Sequence, residues 1–331
     1  MIQTAVDKRV YEELLPWLPD KIIDCHAHIG LAEHVGPVAP ERFEAIWALE
    51  IARSQTWEEL ADYYRFFFPK QEVSALAFGW VYQEVDIDAN NDYVLKGALD
   101  PVNKVCALYV TKPEWDASLI EQAMSQGFIG IKPYPDLAPQ GLECSIYDFL
   151  PHSHLKVIDR LGGVIMLHLP RKGRIADLDN IRELLEISDK YPSIRLIVAH
   201  IGRAFCLPTA EKGLSRLVDT NIYFDTAANL NADVFEYAIR TVGLDRILFG
   251  SDLPILVMRG VREHVGEKYI NYTDGNYSWN NNRKSPEEEA GYTYYIYEEL
   301  KAIIEAVKRL GLGREGMEKL LYSNSAKLFF G

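Results

Sequence analysis

Four of the eight histidines in this 331-residue chain stand at the ends of short apolar runs that are typical of buried strands. They are His26, His28, His168 and His200, and Asp252 ends a further run of the same kind. Unpaired imidazole and carboxylate groups are costly to bury, whereas together they supply the nitrogen and oxygen donors that Zn²⁺ accepts. The pattern therefore predicts one divalent metal ion, expected to be Zn²⁺, with Mn, Fe or a second metal as alternatives.

The spacing of His26 and His28 supports a shared metal ion. Both lie in the predicted strand 21–28 and are two residues apart. Side chains alternate between the two faces of a strand, so these imidazoles share one face with Asp24, while Cys25 and Ala27 point the other way. Two imidazoles placed in this way can bind one ion.

The remaining histidines lack this context. His152 and His154 repeat the spacing but begin a predicted helix, where residues two apart do not share a face, so we expect them at the surface. His34 and His264 fall in long connections between predicted elements and are expected in solvated loops.

Short apolar runs alternate with longer amphipathic segments along the chain, as in βα repetition. The eight candidate strands are 21–28, 73–82, 104–110, 128–133, 163–168, 194–200, 221–226 and 246–252. The candidate helices include 113–126, 146–161, 177–190, 210–218 and 232–241. A closed (β/α)₈ TIM barrel fits this spacing best. An open doubly wound sheet is the alternative, but no G-x-G-x-x-G motif follows the first strand.

Two connections are too long for simple βα loops, and both follow predicted strands. They are residues 29–72, after the first strand, and 253–284, after the eighth. On a barrel both lie at the C-terminal face, where active sites form. Their many aromatic residues either contact a substrate or pack a local core or a dimer interface. The chain is predicted to be one domain, 1–331, with its barrel core at 21–330.

The second connection ends at a helix start signal. Ser285, Pro286 and Glu288 have the spacing of a capping box with proline at the first helical position. They predict a long helix that runs from Ser285 toward Leu310.

Composition excludes several classes of partner. The formal net charge is −13, which disfavours nucleic acid and anionic membrane surfaces. The four cysteines are far apart and form no C-x-x-C pair, so neither a disulfide framework nor a cysteine zinc site is expected. The N-terminal residues 1–17 carry charges throughout, and the most apolar stretch, 74–82, is too short to span a bilayer. A cytoplasmic protein is expected.

The ordered motifs resemble the amidohydrolase superfamily of metal-dependent hydrolases. The resemblance rests on Asp24-Cys25-His26-Ala27-His28, Lys132, His168, His200 and Gly250-Ser251-Asp252, taken in that order. The closing Asn324-Ser325-Ala326-Lys327-Leu328-Phe329 is similar to the C-terminal signature of the amidohydrolase-related branch, which includes aminocarboxymuconate semialdehyde decarboxylase. The resemblance covers nearly the whole barrel, from residue 21 to 330, but not the two long connections.

This resemblance implies roles for the strand-end residues. It implies that His26, His28, His168 and Asp252 hold a catalytic metal. His200 is then a ligand of a second metal or the residue that orients water or substrate. Asp252 and His200 are therefore the catalytic candidates, with Asp252 able to take the proton of a water and pass it to the leaving group.

Lys132 carries the main ambiguity of the site. Some superfamily members have a carboxylated lysine at this position that bridges two metals, whereas the decarboxylase-like branch often has a similar lysine and one metal. We favour one metal and an unmodified Lys132 that binds an anionic substrate group, joined by Tyr134, Arg171 and Arg203. The alternative for the two arginines is that they pair with surface carboxylates.

The favoured function is a metal-dependent hydrolase that cleaves an amide, ester or lactone bond in a small, carboxylate-bearing substrate. A nonoxidative decarboxylase that uses the same metal site is the alternative. A third hypothesis is a barrel that keeps its metal for stability and serves as a binding protein, but the five donors exceed what a closed tetrahedral site needs. We expect a homodimer from the family resemblance and the aromatic segment 57–68.

Overall fold

Eight parallel strands in sequential order, β1 to β8, form the wall of a barrel. The structure, a computed structural model, describes residues 1–43 and 46–330. The strands are β1 Lys21–His28, β2 Glu72–Phe78, β3 Val105–Thr111, β4 Gly130–Pro133, β5 Val164–Leu167, β6 Arg195–Val198, β7 Tyr223–Asp225 and β8 Ile247–Leu248. Every predicted strand overlaps an observed one, and the (β/α)₈ TIM barrel is confirmed.

The barrel closes where the chain beyond β8 lies alongside β1. Asp252 donates its backbone N–H to the carbonyl of His26 at 2.8 Å, and His28 donates its N–H to the carbonyl of Leu253 at 2.9 Å. These bonds fix the register of the last strand against the first. They therefore bring Asp252 beside the His26–His28 pair.

Helices cover the outside of the barrel and follow most of the strands. The helices are α1 Ala5–Leu14, α2 Ala48–Ile51, α3 Trp57–Phe67, α4 Ile87–Ala98, α5 Ala117–Gln126, α6 Ile146–Phe149, α7 His152–Leu161, α8 Leu178–Lys190, α9 His200–Arg203, α10 Leu207–Leu214, α11 Ala232–Val242, α12 Pro286–Glu289, α13 Tyr295–Arg309, α14 Gly313–Glu318 and α15 Asn324–Phe330. The longer helices bury one apolar face in the core, as α8 does with Ile181, Leu184 and Ile187. No described helix is long and apolar enough to cross a membrane.

Two predicted helices are divided in the structure. The segment 146–161 forms α6 and α7, which are separated by Leu150 and Pro151. Proline lacks an N–H group and disfavours helical geometry in the residue before it, so the helix breaks there. The prediction of one continuous helix was wrong at this point.

The predicted long helix after Ser285 is also divided. The capping box of Ser285 and Glu288 is present, but α12 ends at Glu289 and α13 begins at Tyr295. Gly291 lowers helix stability between them. Thr293 also donates its hydroxyl to the buried carboxylate of Asp7 at 2.8 Å. This tertiary contact holds the chain in a non-helical conformation.

The first long connection builds a local core. Tyr64 and Phe67 of α3 are buried, and the Phe67 ring lies 5.0 Å from Tyr294 and 5.5 Å from Tyr297, centroid to centroid. The local-core alternative therefore holds for these aromatic residues.

The second long connection contains a β-hairpin that the sequence analysis did not predict. Strand β9 Gly260–Val265 pairs antiparallel with β10 Lys268–Thr273. The two long connections also meet, because Trp47 packs edge-to-face on Trp279 at 5.3 Å between ring centroids. Together they enclose the C-terminal face of the barrel.

Candidate metal centre and substrate cavity

One cavity of about 160 Å³ lies at the C-terminal face of the barrel. Eight of the nine predicted site residues line it, namely His26, His28, Lys132, Tyr134, His168, His200, Arg203 and Asp252. They come from the ends of strands β1, β4, β5, β6 and β8, which the barrel brings to one rim. The structure therefore brings together residues that are more than 200 positions apart in the sequence.

Three imidazoles have their ring orientation fixed by acceptors behind them. Nδ1 of His26 contacts Oδ2 of Asp225 at 2.8 Å, Nδ1 of His28 contacts the carbonyl of Gly79 at 3.2 Å, and Nδ1 of His200 contacts the carbonyl of Ala227 at 2.8 Å. Because a carbonyl oxygen only accepts, Nδ1 of His28 and His200 must carry the proton. Each ring then presents an unprotonated Nε2, which is the arrangement that metal-binding histidines require.

Two of these rings converge on one carboxylate. Nε2 of His26 lies 3.4 Å from Oδ1 of Asp252, and Nε2 of His28 lies 3.3 Å from the same oxygen. One donor atom each from His26, His200 and Asp252 lie within 4.8 Å of one another. These distances and donor types fit a divalent cation.

His28 and His168 stand beside this compact group. His28 is joined to it through Asp252, and the His168 ring lies 5.4 Å from the His200 ring, centroid to centroid. Nδ1 of His168 is buried and has no hydrogen-bond partner among the described residues. An orphaned buried nitrogen beside the other donors is compatible with a missing cation partner. The division of ligand roles among the four histidines remains a prediction.

The protonation states suit metal binding. Burial lowers the pKa of His200 to about 4 and holds the pKa values of His26 and His168 well below their ordinary range. Burial alone would raise the pKa of Asp252, but the contacts with the imidazoles of His28, His26 and His200 outweigh it and hold that pKa below its usual range. Neutral imidazoles and an ionised carboxylate are the forms that bind a metal.

Asp225 holds two histidines of the site in place, and the sequence analysis gave it no role. Its side chain is fully buried at the end of β7. Besides holding His26, it accepts the backbone N–H of His200 at 2.6 Å and that of Ala227 at 3.1 Å. Burial raises its pKa, and the neighbouring His200 opposes that shift. The signal was present, because Asp225 also ends an apolar run, but it was given no role.

His200 and Arg203 reach the cavity through a left-handed turn. Four consecutive residues have positive φ: His200 at 58°, Ile201 at 49°, Gly202 at 64° and Arg203 at 63°. This conformation costs about 1–2 kcal/mol for each non-glycine residue. It is retained because it directs both functional side chains into one cavity, which is where strained backbone is commonly found.

Lys132 is buried in the cavity without a hydrogen-bond partner among the described residues. Its Nζ lies 4.7 Å from the ring centroid of Phe78 and 5.7 Å from that of Tyr134. Burial lowers the pKa of Lys132 to about 8, although the charges of Asp225 and Asp252 oppose the shift. An amine in this position can bind an anionic group of a ligand.

Arg171 does not have the predicted position in the substrate cavity. Its guanidinium makes two hydrogen bonds to the Glu183 carboxylate, at 3.0 and 3.1 Å, and a third to Asn180. It does not line the cavity, because the partly buried carboxylate of Glu183 holds it away. The alternative of a structural ion pair therefore holds for Arg171, whereas Arg203 lines the cavity and donates to the carbonyls of Leu169 and Arg171.

Two predictions for the histidines outside the site were wrong, because His154 is not at the surface and His264 belongs to strand β9 rather than to a solvated loop. His152 is exposed as predicted, but His154 is fully buried and its Nε2 contacts the carbonyl of Trp115 at 2.8 Å. The amphipathic phase of α7 turns His154 inward, which the two-residue spacing could not show. His34 and His264 are half-buried and lie outside the cavity.

A family model described as Amidohydrolase matches residues 23–331, and the chain belongs to this amidohydrolase family. Comparison with curated protein sequences finds no match. The expected resemblance is therefore confirmed, and the match also spans the two long connections, which the resemblance had left out.

Solved structures share the fold at low sequence identity. One is a probable 2-pyrone-4,6-dicarboxylic acid hydrolase from Acinetobacter baumannii with citric acid bound (15% identity, 94% of this chain and 99% of that chain, TM-score 0.57). Another is a dihydroxybenzoic acid decarboxylase from Polaromonas sp. JS666 with bound manganese and 2-nitroresorcinol (14% identity, 94% of this chain and 97% of that chain, TM-score 0.58). Hydrolases and decarboxylases thus share this barrel.

Gly202→Ala is expected to cost more stability than Gly162→Ala. The two glycines have almost the same φ, 64° and 62°, but a Cβ at Gly202 would meet Ile175 side-chain atoms at 2.7 Å, whereas nothing lies within 4 Å at Gly162. We expect a loss of about 1–2 kcal/mol at Gly162 from backbone strain, and about 1–3 kcal/mol more at Gly202 from overpacking. Urea denaturation measures both losses. Equal losses would contradict the packing argument.

Asp225→Asn is expected to weaken metal binding while the barrel stays folded. Loss of the carboxylate removes the anionic acceptor of His26 Nδ1, and loss of such a partner typically lowers metal affinity about 10–100-fold. Competition with a chromophoric chelator measures the affinity. Asp245→Asn is the matched control, because that exposed carboxylate pairs with Lys319 outside the site. Unchanged affinity in Asp225→Asn would remove Asp225 from the site.

Proposed function

We propose that the protein is a metal-dependent hydrolase that cleaves an amide, ester or lactone bond in a small, carboxylate-bearing molecule. The observation that carries this proposal is the convergence of the Nε2 atoms of His26 and His28 on one oxygen of Asp252, at 3.4 and 3.3 Å, inside the cavity. Such a group of imidazoles and one ionised carboxylate suits a catalytic rather than a closed structural metal site.

The residues that would hold the metal are the predicted set of His26, His28, His168 and Asp252, with His200 close by. A metal bound there supplies Lewis-acid chemistry, because it lowers the pKa of a water and polarises the bond under attack. Zn²⁺ is the first expectation from the donor types, and Mn²⁺ is the alternative that the manganese-containing decarboxylase supports. We propose one metal and an unmodified Lys132.

Asp252 and His200 have different roles in the proposed reaction. Asp252 is ionised, so it can accept the proton of an attacking water and deliver it to the leaving nitrogen or oxygen. His200 carries its proton on Nδ1, so its Nε2 can accept a hydrogen bond and orient that water. The rear hydrogen bonds to His26 and His200 keep both rings in place during the reaction.

The proposed substrate-binding residues favour an anionic ligand. Lys132 and Arg203 both line the cavity. Among the described residues neither has a carboxylate within 4.0 Å. Tyr134 lies beside them, and its ring centroid is 4.8 Å from that of His168. A carboxylate on the substrate would compensate the buried positive charge, and Tyr134 would position it.

A nonoxidative decarboxylase is the second candidate. The aromatic walls of the cavity, which include Trp80, Tyr82 and Tyr134, favour a planar aromatic acid. The decarboxylase from Polaromonas has the same fold. In that reaction the carbon–carbon bond to the carboxylate breaks, CO₂ leaves with the bonding electrons staying on the carbon, and a proton taken up from water is delivered to that carbon through Asp252 or His200.

Removal of a metal-site residue is expected to abolish turnover without unfolding the barrel. Protein purified without chelator should contain about one equivalent of a divalent transition metal by elemental analysis. His168→Ala and Asp252→Asn should each lower kcat by at least about 10²-fold, because the general base or a ligand is lost. The exposed His152→Ala is the control and should keep full activity. Absence of metal from native and reconstituted protein would contradict both catalytic candidates.

A substrate screen separates the two reactions. Lactones and N-acyl amino acids test hydrolysis, and aromatic and dienoic carboxylic acids test decarboxylation with CO₂ release monitored. We expect a hydrolysed lactone or amide without CO₂, and Asp252→Asn should abolish that turnover. Stoichiometric CO₂ release with no hydrolysis would replace the hydrolase by the decarboxylase.

A further inference from the structure

The β9–β10 hairpin supplies one wall of the cavity. Arg262 of β9 is paired directly with Asn271 of β10, and both line the cavity together with Tyr269. Side chains two residues apart on a strand share a face, so Tyr269 and Asn271 project to the same side. The hairpin therefore presents a cation, an amide and an aromatic ring to the ligand space.

The guanidinium of Arg262 is held in a fixed position. Its Nε donates to Oδ1 of Asn271 at 2.8 Å, and Nη1 donates to the carbonyl of Ala228 at 2.7 Å. It stacks against the rings of Tyr269 and Phe205, with its central carbon 4.7 and 5.1 Å from their centroids. Nη2 has no acceptor among the described residues, so this nitrogen of the guanidinium remains available to a ligand.

The charge of Arg262 is not compensated by the protein. Two other partly buried arginines at this end of the barrel, Arg42 and Arg171, have carboxylate partners: Arg42 pairs with Glu84 and Asp136, and Arg171 pairs with Glu183. In the described parts of the chain, Arg262 has no carboxylate within 4.0 Å, and burial lowers its pKa. A buried guanidinium without a counter-charge is destabilising. Ala228 and Asn271 offer it only neutral oxygens.

Arg262 and Lys132 lie on different sides of the barrel. Lys132 ends β4 and lies over Phe78 at the end of β2. Arg262 follows β8 and contacts Ala228 and Phe205, which follow β7 and β6. In a closed barrel of eight sequential strands, these two groups of strands face each other across the axis. Both cations line the same cavity.

We propose that Arg262 and Asn271 form a second anion subsite, so that the substrate carries two acidic groups, one bound by Lys132 and the other by Arg262. Arg262 is then a specificity-determining residue supplied by the hairpin rather than by the barrel. This inference rests on the proposed anionic substrate but is independent of which bond is broken.

The test measures ligand binding rather than turnover. The full chain loaded with Zn²⁺ is titrated calorimetrically with isophthalate, which has two carboxylates, and with benzoate, which has one. We expect the wild-type protein to bind isophthalate at least about tenfold more tightly, as a charge-assisted hydrogen bond allows. In Arg262→Gln that preference should fall below about threefold, while benzoate affinity stays within about threefold of wild type.

Two further variants keep the result interpretable. Lys268→Gln removes the same charge from the exposed face of the same hairpin and should keep the preference for isophthalate. Arg262→Lys keeps the positive charge but loses the planar guanidinium with its paired N–H donors, and we expect an intermediate preference for isophthalate. Circular dichroism melting curves identify any variant that fails to fold, and Arg262→Lys then serves in place of Arg262→Gln.

Three results would overturn the subsite. They are a wild-type protein without preference for isophthalate, a full preference in Arg262→Gln, and an equal loss in Lys268→Gln. Failure of the proposed function is a different result, because a preference that depends on Arg262 can be measured in a protein that turns over no tested substrate.

Discussion

The buried carboxylate of Asp225 is the contact on which the geometry of the site depends. It binds Nδ1 of His26 from β1, and it accepts backbone N–H groups of His200 and Ala227, which follow β6 and β7. This fully buried side chain thus fixes the end of β1 and the loops after β6 and β7 relative to each other. Its desolvation is costly, and only several short hydrogen bonds together compensate for it. The positions of the His26 and His200 imidazoles therefore depend on that satisfied carboxylate.

Backbone strain is concentrated at the same rim. Of the eight non-glycine residues with positive φ in the described ranges, seven lie in the loops that follow β5 to β8. They include Asp252 at 56° and Ala228 at 54°, whose carbonyl holds Arg262. Conformations of this kind cost about 1–3 kcal/mol each and persist only where the surrounding structure imposes them. The barrel wall and the hydrogen bonds of Asp225 provide that constraint. The strained loops therefore keep the conformation that places the site side chains in the cavity.

The sequence predicted the barrel and most of its rim because both leave local signals. Apolar runs of strand length recur at βα spacing, and a polar residue at the end of such a run lies at the rim whatever its partners are. The residues around a charged side chain in the sequence do not show which distant group it will pair with. Arg171 and Arg203 follow strand ends in the same way, yet Glu183 of α8 takes the first and leaves the second in the cavity. The role of Arg262 was hidden for the same reason, because it depends on a hairpin that folds over the barrel and on contacts with distant loops.

The charges that line the cavity connect the metal to the substrate. The protein is acidic overall, with a formal net charge of −13, yet Lys132, Arg203 and Arg262 line the cavity against the single carboxylate of Asp252. Burial keeps His26 and His200 neutral, so a divalent cation bound beside them adds to the positive charge of the cavity. In a site of low dielectric constant this excess favours an anion strongly. Metal and anionic substrate should therefore bind with positive coupling, each raising the affinity for the other by the same factor, because linkage makes that coupling reciprocal.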